Sequence, residues 1–401
     1  MTFSPLNEAL VSPESLLTGY HVEERMAINC LSRHDYAIYV DDYASPQLAI
    51  DAAIAAGGGD VVFGRGTYTL TAPLRIAYGG EAPVTLRGQG IGHETANTIL
   101  QVPDGGTGIE IVNTAPNKCM TVHLQDFEVR GGAYGIHLLP APSAWPLKNC
   151  RWQRLNCRLQ TEIGIFLESS QFHNYYADIF ILGSEPLLDT VGFKTFDVQN
   201  RNTYERLEIR HCGTGFMVDA GPSERTHGAV GNSVFRDCLI EANLGPGMRF
   251  VNSGPERGQF VNVLMEAMYF EHNGGITGEA DIVVEGDTAR WQGIGLMPSS
   301  PSPAQIAAPG GPLLLDIQNN GTFRTSSFWG LGAGNRGIRQ NGVLLLKPGF
   351  SPAIKSFSTY WDVWGMGNSG PVLKDEPTGK LWRLFVESGQ VKLQDVTSSI
   401  V

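Results

Sequence analysis

Three glutamates, Glu208, Glu241 and Glu271, recur at intervals of about thirty residues, each within a short run that mixes apolar and charged side chains. Asp237 opens the second of these runs. Glycoside hydrolysis needs two carboxyl groups, one to protonate the leaving oxygen and one to attack the sugar or activate water. A gap of roughly 5–5.5 Å between them gives retention, and roughly 6.5–9.5 Å gives inversion. The candidate pairs are Glu241 with Glu271, Glu208 with Glu241, and Asp237 with Glu241.

Basic and aromatic side chains in the same runs are suited to a sugar polymer, because arginines hydrogen-bond hydroxyl groups and aromatic rings offer flat apolar faces. The candidate substrate-binding residues are Arg210, Arg206, Tyr269, His272, His211 and Arg158, with Phe180 as a further aromatic face. A polysaccharide lyase needs a base beside a uronate carboxylate and a cation that stabilises the resulting charge. Two of these arginines and both histidines could serve that reaction, so β-elimination stays open.

A simpler interpretation is that these side chains are merely solvated, because outward strand positions face water and polar residues there need no special role. Arg210 beside Glu241 could be a surface ion pair of little energetic value. Asn243 and Asn273 each follow a candidate glutamate by two residues, and we expect them to stack as a turn ladder. The sequence has no phosphate loop, nucleophile elbow or zinc-protease motif.

The candidate residues belong to a longer internal repeat. Short alternating runs recur six times between positions 125 and 284, and their first inward residues are Phe127, Cys157, Ile179, Leu207, Cys238 and Met268. A second marker advances with the first: the glycines Gly135, Gly164, Gly192, Gly215 and Gly247. No helix separates the runs, so each repeat of 22–32 residues is typical of one rung of a parallel β-solenoid. Neighbouring rungs would lie about 4.8 Å apart.

Stacking turns equal positions of successive rungs into columns on an outward sheet face. The alignment places Asn156, Arg158 and Gln160 in the columns that begin at residues 126, 128 and 130. Further rungs are expected at Gly59–Leu70 and Val84–Gly90 before the repeat, and at Pro312–Gln318, Gly342–Pro348 and Tyr360–Gly367 after it. The whole stack would contain about ten or eleven rungs.

An open solenoid end exposes backbone edges and core, so it needs a cap. Ser45 and Pro46 predict the start of a capping helix, and Gly57 predicts its end. The residues expected to face the first rung are Leu48, Ile50, Ala53 and Ile54, and Ser12-Pro13 predicts an earlier helix. We therefore predict an all-β chain with an N-terminal segment and capping helix at residues 1–58, a parallel β-helix at 59–368 and a β tail at 369–401.

Composition excludes several classes of function. The net charge is −11 and the chain has 49 glycines, which favours a turn-rich β protein and argues against a nucleic-acid binder. No apolar run is long enough for a membrane span, and no secretory signal is visible. The six cysteines form no CxxC pair, so we expect no metal site and no cofactor, and Cys157 and Cys238 as small buried hydrophobes.

The stretch Asp41–Leu70, followed by "VTLRGQG", resembles the entry of the pectate-lyase-like right-handed β-helix superfamily: an acidic pair, an Ala-rich cap helix, a Gly run and a "GTY" strand. The resemblance implies a single-stranded right-handed parallel β-helix. The superfamily includes polysaccharide lyases, glycoside hydrolases, epimerases, fructan-cyclising transferases and phage tailspikes. It also implies that solenoids of this kind often associate side by side as homotrimers.

The C-terminal segment Gly370–Val396 is similar to short segments that end many phage and prophage tail proteins. Together the two resemblances imply a phage-type depolymerase that hydrolyses a bacterial surface or extracellular polysaccharide, and an extracellular or virion-associated location. A polysaccharide lyase or a fructan-cyclising transferase on the same fold is the first alternative. A glycan-binding tail module without catalysis is the second.

Overall fold

A computed structural model describes residues 37–80, 82–92, 96–115, 118–140, 147–184, 187–220, 229–251, 259–261, 263–285, 287–294, 296–298, 302–308, 313–318, 323–329, 337–340, 343–346, 372–374, 381–387 and 390–395. The expected helix at Ser12-Pro13 and the expected rung at Tyr360–Gly367 lie outside these residues. In the described part of the chain, no helix is both long and apolar enough to cross a membrane.

The helices are α1 Pro46–Ala55 and α2 Pro303–Ala307, with one 3-10 turn at Val40–Asp42. The strands are β1 Ala37–Tyr39, β2 Gly59–Val62, β3 Gly66–Thr69, β4 Leu74–Tyr78, β5 Val84–Arg87, β6 Thr98–Gln101, β7 Thr107–Asn113, β8 Val122–Arg130, β9 Tyr134–Leu138, β10 Leu147–Lys148, β11 Arg151–Arg158, β12 Ile163–Leu167, β13 Gln171–Phe172, β14 Tyr175–Leu182, β15 Val191–Phe196, β16 Gln199–Asn200, β17 Thr203–Arg210, β18 Thr214–Asp219, β19 Ala229–Gly231, β20 Val234–Arg236, β21 Leu239–Glu241, β22 Met248–Val251, β23 Gln259–Val261, β24 Leu264–Glu266, β25 Tyr269–Glu271, β26 Ile282–Val284, β27 Asp287–Ile294, β28 Met297–Pro298, β29 Leu313–Ile317, β30 Phe323–Trp329, β31 Gly337–Gln340, β32 Val343–Leu346, β33 Val372–Lys374, β34 Leu381–Glu387 and β35 Gln390–Asp395.

Two long sheets close the solenoid. The first, sheet A, contains 21 strands, including β8, β11, β14, β17, β21 and β25, and the second, sheet B, runs through β4, β7, β9, β12, β15, β18, β22, β26, β29, β31 and β32. Strands that come from successive rungs pair in parallel and in register, as β14 does with β17 and β15 with β18. The predicted right-handed parallel β-helix is confirmed. The expected rung at Gly342–Pro348 is wrong, because β32 turns back and pairs antiparallel with β31.

The capping helix begins where the sequence predicts. The Ser45 hydroxyl accepts a hydrogen bond from the Leu48 backbone N–H, and Pro46 occupies the first helical position. Ile50 and Ala53 are fully buried against the solenoid. Leu48, however, is 49% exposed and Ala49 is buried instead, because Ala49 lies four residues before Ala53 on the same face of the helix.

The predicted glycine marker is a ladder of close backbone contacts. A Cβ at Gly164 would lie 2.6 Å from the Gly192 carbonyl oxygen, and one at Gly215 would lie 2.5 Å from that of Gly247. Such separations are shorter than van der Waals contact, so only glycine lets adjacent rungs stack here. The ladder ends after Gly247, whose next neighbour in the stack is Asp281.

Buried asparagines form ladders at two interior corners. The Asn243 amide donates to the Asn273 side-chain oxygen at 2.8 Å, and Asn243 in turn accepts from the Cys212 backbone N–H. Both asparagines are fully buried, which confirms the predicted turn ladder. At another corner the Asn174 backbone N–H donates to the side-chain oxygen of Asn202. These amides satisfy backbone groups that bend away from the sheets.

The predicted alignment of one rung was wrong by two residues. In β11 Leu155, not Cys157, pairs with Phe127 of β8, and Asn156 pairs with Glu128. Arg158 therefore lies in the column of Arg130, while Gln160 lies beyond the strand and is buried. Leu155 and Cys157 are both apolar and two residues apart, so the alternation alone fits either register. Cys157 and Cys238 are buried, as predicted.

The last described strands, β33, β34 and β35, form a separate three-stranded antiparallel sheet. They fall within the predicted C-terminal tail, and the predicted boundaries at residues 58 and 368 stay predictions.

Candidate active site

The candidate residues lie on one outward face of sheet A, which we call the outer strip. It consists of three columns that cross β8, β11, β14, β17, β21 and β25. The corner column is Asp126, Arg154, Asp178, Arg206, Asp237 and Ala267; the second is Glu128, Asn156, Phe180, Glu208, Leu239 and Tyr269; the third is Arg130, Arg158, Leu182, Arg210, Glu241 and Glu271. Glu208, Glu241 and Glu271 therefore share one surface.

Every residue of the corner column has a left-handed backbone, with φ between 50° and 67°. This conformation is uncommon for side chains other than glycine, asparagine and aspartate, and here it bends sheet A between two strand segments. The carboxylates of this column are paired across rungs in its first part. Arg154 binds Asp126 through two hydrogen bonds of 2.5 and 2.8 Å, and Arg206 binds Asp178 at 2.6 and 3.0 Å.

Asp237 departs from this pattern. An arginine in the next rung would pair with it, but that position is Ala267. The Asp237 side chain is exposed and makes no hydrogen bond or ion pair with any other residue in the described ranges. Arg206 on the preceding rung is bonded to Asp178 and Glu205, and hydrogen bonding to Asp178 raises the pKa of its guanidinium.

Glu208 and Glu241 are bridged by one cation. Arg210 contacts a Glu208 carboxylate oxygen at 2.6 Å and a Glu241 oxygen at 2.9 Å. The three side chains are only 19–29% exposed, so the pairs are partly shielded from water. The ion pair between Arg210 and Glu241, which the simpler interpretation expected, is thus present. Glu241 lies one rung beyond Arg210, next to the rung of Glu271.

Glu271 lies directly above Glu241, because the two residues pair in register between β21 and β25. The Tyr269 hydroxyl donates to a Glu271 oxygen at 3.1 Å. His272 Nδ1 lies 3.8 Å from the other oxygen, with its side chain half exposed. A neutral donor and a titratable ring thus lie beside Glu271, and an arginine lies beside Glu241.

The second column of the outer strip is closed to solvent at its first two residues. Glu128 is fully buried and one of its oxygens pairs with Arg130 Nε at 2.5 Å. The Asn156 amide donates to the Gly92 carbonyl at 3.3 Å, so the segment before β6 lies over these two side chains. The open part of this column therefore begins at Phe180, whose ring has the Arg158 guanidinium 5.9 Å from its centre.

The two candidate histidines occupy exposed left-handed corners after β17 and β25, with φ of 56° at His211 and 52° at His272. Ala242 holds the equivalent corner between them, so the two rings are two rungs apart and do not meet. Of the ten predicted site residues, nine lie on the strip or at its border within the three successive rungs of β17, β21 and β25: all four acids, Arg206, Arg210, Tyr269, His211 and His272. Arg158 lies further along it.

Sequence reasoning did not single out a group of carboxylates on sheet B. Arg249 on β22 pairs with Glu279 and, at 2.9 Å, with Glu285. Burial raises the pKa of Glu285, and the negative charges of Glu279, Asp219 and Asp316 add to the shift. These acids come from separate loops and rungs, so no spacing in the sequence marks them. Among the described residues, no group of three or more His, Cys, Asp or Glu side chains could hold a metal ion.

No family model matches the chain, and no curated protein matches it. Among solved structures, it is similar to the ORF18 protein of Geobacillus virus E2, with 13% identity over 94% of this chain and 89% of that one and a TM-score of 0.50. The alginate lyase of a Paenibacillus species is 14% identical, with 67% and 98% covered and a TM-score of 0.42. The catalytic domain of a GH87 α-1,3-glucanase is 11% identical, with 76% and 57% covered and a TM-score of 0.43.

At such identities these similarities concern the fold. The parallel pairing of both sheets, the glycine ladder and the likeness to the virus protein agree with each other. The chain has a right-handed parallel β-helix fold.

Proposed function

We propose that the chain is a polysaccharide-degrading enzyme that hydrolyses glycosidic bonds on the outer strip, with Glu241 and Glu271 as the reacting carboxyl groups. The observation that carries the proposal is their pairing in register on adjacent strands. Adjacent strands lie about 4.8 Å apart, which is near the carboxyl separation of retaining glycosidases. We also propose that the enzyme is a phage-type depolymerase that acts on a bacterial surface or extracellular polysaccharide, and that it assembles as a homotrimer.

The surroundings of the two glutamates suggest their roles. Glu241, bound to Arg210, is the carboxylate that attacks the sugar carbon. Glu271 is the acid that gives its proton to the leaving oxygen, and the Tyr269 hydroxyl and the His272 ring lie beside it. Water then gives a proton to the Glu271 carboxylate and attacks the sugar carbon, which breaks the bond between the sugar and Glu241. Asp237, on the same rung as Glu241, would instead activate water in an inverting reaction.

The pairing of the arginines favours hydrolysis over β-elimination. A lyase needs a cation available to the uronate carboxylate. Arg206 already forms ion pairs with Asp178 and Glu205, and Arg210 forms ion pairs with Glu208 and Glu241. A uronate at this place would have to compete with protein carboxylates for both guanidiniums.

The test is a screen over capsular, lipopolysaccharide, pectic and fructan polymers that records reducing ends and ultraviolet absorbance together. Reducing ends without new absorbance support hydrolysis, while a rise in absorbance would show the unsaturated product of a lyase. Glu271→Gln and Glu241→Gln should each lower kcat on the order of 10²–10⁴-fold. Glu266→Gln is the matched control. Glu266 lies on the same rung as Glu271, on the other side of the corner at Ala267, and pairs with Arg236. Unchanged rates in both test variants would overturn the assignment.

A further inference from the structure

A second group of charged side chains lies on sheet A, on the stretch of each rung that precedes the corner column. We call this group the basic corner. It consists of Lys148 and Arg151 on one rung, Phe172, His173 and Tyr175 on the next, and Arg201 on the third. His173 and Arg201 have left-handed backbones, with φ of 59° and 57°, and successive rungs lie about 4.8 Å apart. The basic side chains are therefore neighbours on one surface.

The cations of the basic corner have no counter-charge among the residues that the structure describes. The four basic side chains are exposed or partly exposed, and none of them forms an ion pair in the described ranges. The segments that carry them contain no aspartate or glutamate: residues 147–153, 171–177 and 199–204. The acid that follows the last segment, Glu205, accepts a hydrogen bond from the Tyr175 hydroxyl at 2.9 Å and pairs with Arg206.

This absence of pairing differs from the rest of the chain, in which acids are in excess, with 40 Asp and Glu against 29 Lys and Arg. In the corner column of the outer strip, Arg154 and Arg206 each bind an aspartate of the preceding rung. The basic corner instead gathers positive charges on three successive rungs, and like charges on neighbouring strands repel one another. An anion from outside the chain would remove this repulsion.

The aromatic neighbours indicate what kind of anion fits. Phe172 and Tyr175 lie on either side of His173 along the chain, and both side chains are partly exposed. A ring offers a flat apolar face to a sugar, and a guanidinium binds a carboxylate through two hydrogen bonds. The net charge of −11 disfavours a nucleic acid.

We propose, on the basis of the polysaccharide degradation proposed above, that the basic corner binds the uronate units of an acidic polysaccharide. It is a holding site separate from the proposed catalytic glutamates, since Arg151 lies three residues before Arg154 of the corner column. The acidic units of the polymer are thus held by guanidiniums that no protein carboxylate in the described ranges occupies.

The experiment measures binding of the full-length Glu271→Gln chain to uronate-containing bacterial capsular polysaccharides, each in its native form and after chemical reduction of its carboxylates to alcohols. The test pair of substitutions, Arg151→Gln with Arg201→Gln, is added to that chain. The control pair, Arg75→Gln with Arg236→Gln, removes the same charge from exposed arginines of β4 and β20. The test pair should weaken binding to a native polymer at least tenfold and binding to its reduced form less than threefold. The control pair should change both by less than threefold.

Equal losses in the test and control pairs, or equal losses on native and reduced polymers, would overturn the inference while leaving hydrolysis intact. So would the absence of binding to every native polymer. Tighter binding to a single-stranded DNA oligonucleotide than to any polysaccharide, lost in the test pair, would show a nucleic-acid surface and overturn the assignment to uronates. Binding that depends on the basic corner, without cleavage of any bound polymer by the wild-type chain, would support the inference and contradict hydrolysis.

Discussion

The two ends of the outer strip share a backbone but differ in how their charges are used. At the first end every corner aspartate has an arginine on the next rung, and Glu128 is buried beside Arg130. At the other end Asp237 faces Ala267, and Glu271 contacts a tyrosine hydroxyl. The same corner φ near 50° recurs in both, so geometry alone does not decide whether a carboxylate is structural.

Within the corner column, this difference suggests that pairing distinguishes structural aspartates from a reactive one. Asp126 and Asp178, each bound by an arginine of the next rung, complete the stack, whereas Asp237, which has no ion pair among the described residues, keeps its oxygens available to a ligand. A carboxylate that has no counter-charge and lies at a left-handed corner does not stabilise the fold. Such features concentrate at functional sites. Each prediction below tests one part of this contrast.

The largest expected effect distinguishes two aspartates of the corner column. Asp237→Asn should lower kcat on the order of 100-fold, because it removes a negative charge on the rung of Glu241, where the sugar carbon becomes positively charged in the transition state. Asp178→Asn should change kcat less than threefold, since Asp178 is bonded to Arg206. Initial rates on the polymer identified by the screen provide the comparison. Equal losses in the two variants would contradict the contrast.

The second prediction concerns stability at the two ends. Glu128→Ala should lower the free energy of unfolding by about 2 kcal/mol, because Glu128 is fully buried and its removal leaves Arg130 and Asn156 without that neighbour. Glu271→Ala should change it by less than about 0.5 kcal/mol, as for a partly exposed surface residue. Urea denaturation measures both. If Glu271→Ala cost as much as Glu128→Ala, Glu271 would be a structural residue.

A smaller effect is expected at the second interior corner, where the ladder of Asn174 and Asn202 stops. The Asn202 amide nitrogen and the Ser233 hydroxyl on the next rung are both buried and lack a hydrogen-bond partner among the residues that the structure describes. Ser233→Asn would extend the ladder as Asn273 does for Asn243, and should raise the free energy of unfolding by about 1 kcal/mol. Ser233→Ala is the control and should give no such gain.

The smallest effect is expected on sheet B, at Glu285, and it depends on pH. Burial and neighbouring acids raise the pKa of Glu285 in the folded chain, so the folded state binds a proton more readily than the unfolded state. Stability from this group is therefore present at acidic pH and is lost as the pH rises through its folded pKa. Glu285→Gln should make the fall of Tm between pH 5 and pH 8 less steep. An unchanged slope would show that Glu285 does not contribute.

Much of the fold could be predicted because it depends on spacing. Glycines such as Gly164 mark contacts that no other residue tolerates, and Ser45 with Pro46 determines where the helix begins. The register of β11 could not be predicted, since Leu155 and Cys157 fit the alternation equally well and Arg154 is an unusual residue for a left-handed corner.

The membership of the candidate site was predictable, but its electrostatics were not. Columns follow from the rung length, which is why Glu208, Glu241 and Glu271 were expected on one face. Which acid Arg210 binds depends on rotamers, and the sequence carries no signal for them. The acids around Arg249 come from separate loops, so only the folded chain brings them together.

The most direct test is a crystal structure of the Glu271→Gln variant with an oligosaccharide released from the cleaved polymer. We predict a sugar across the rungs of β21 and β25, with its glycosidic oxygen within hydrogen-bond distance of residue 271 and a ring against Tyr269. A sugar bound instead on sheet B beside Arg249 and Glu285, with the outer strip empty, would contradict the proposed active site.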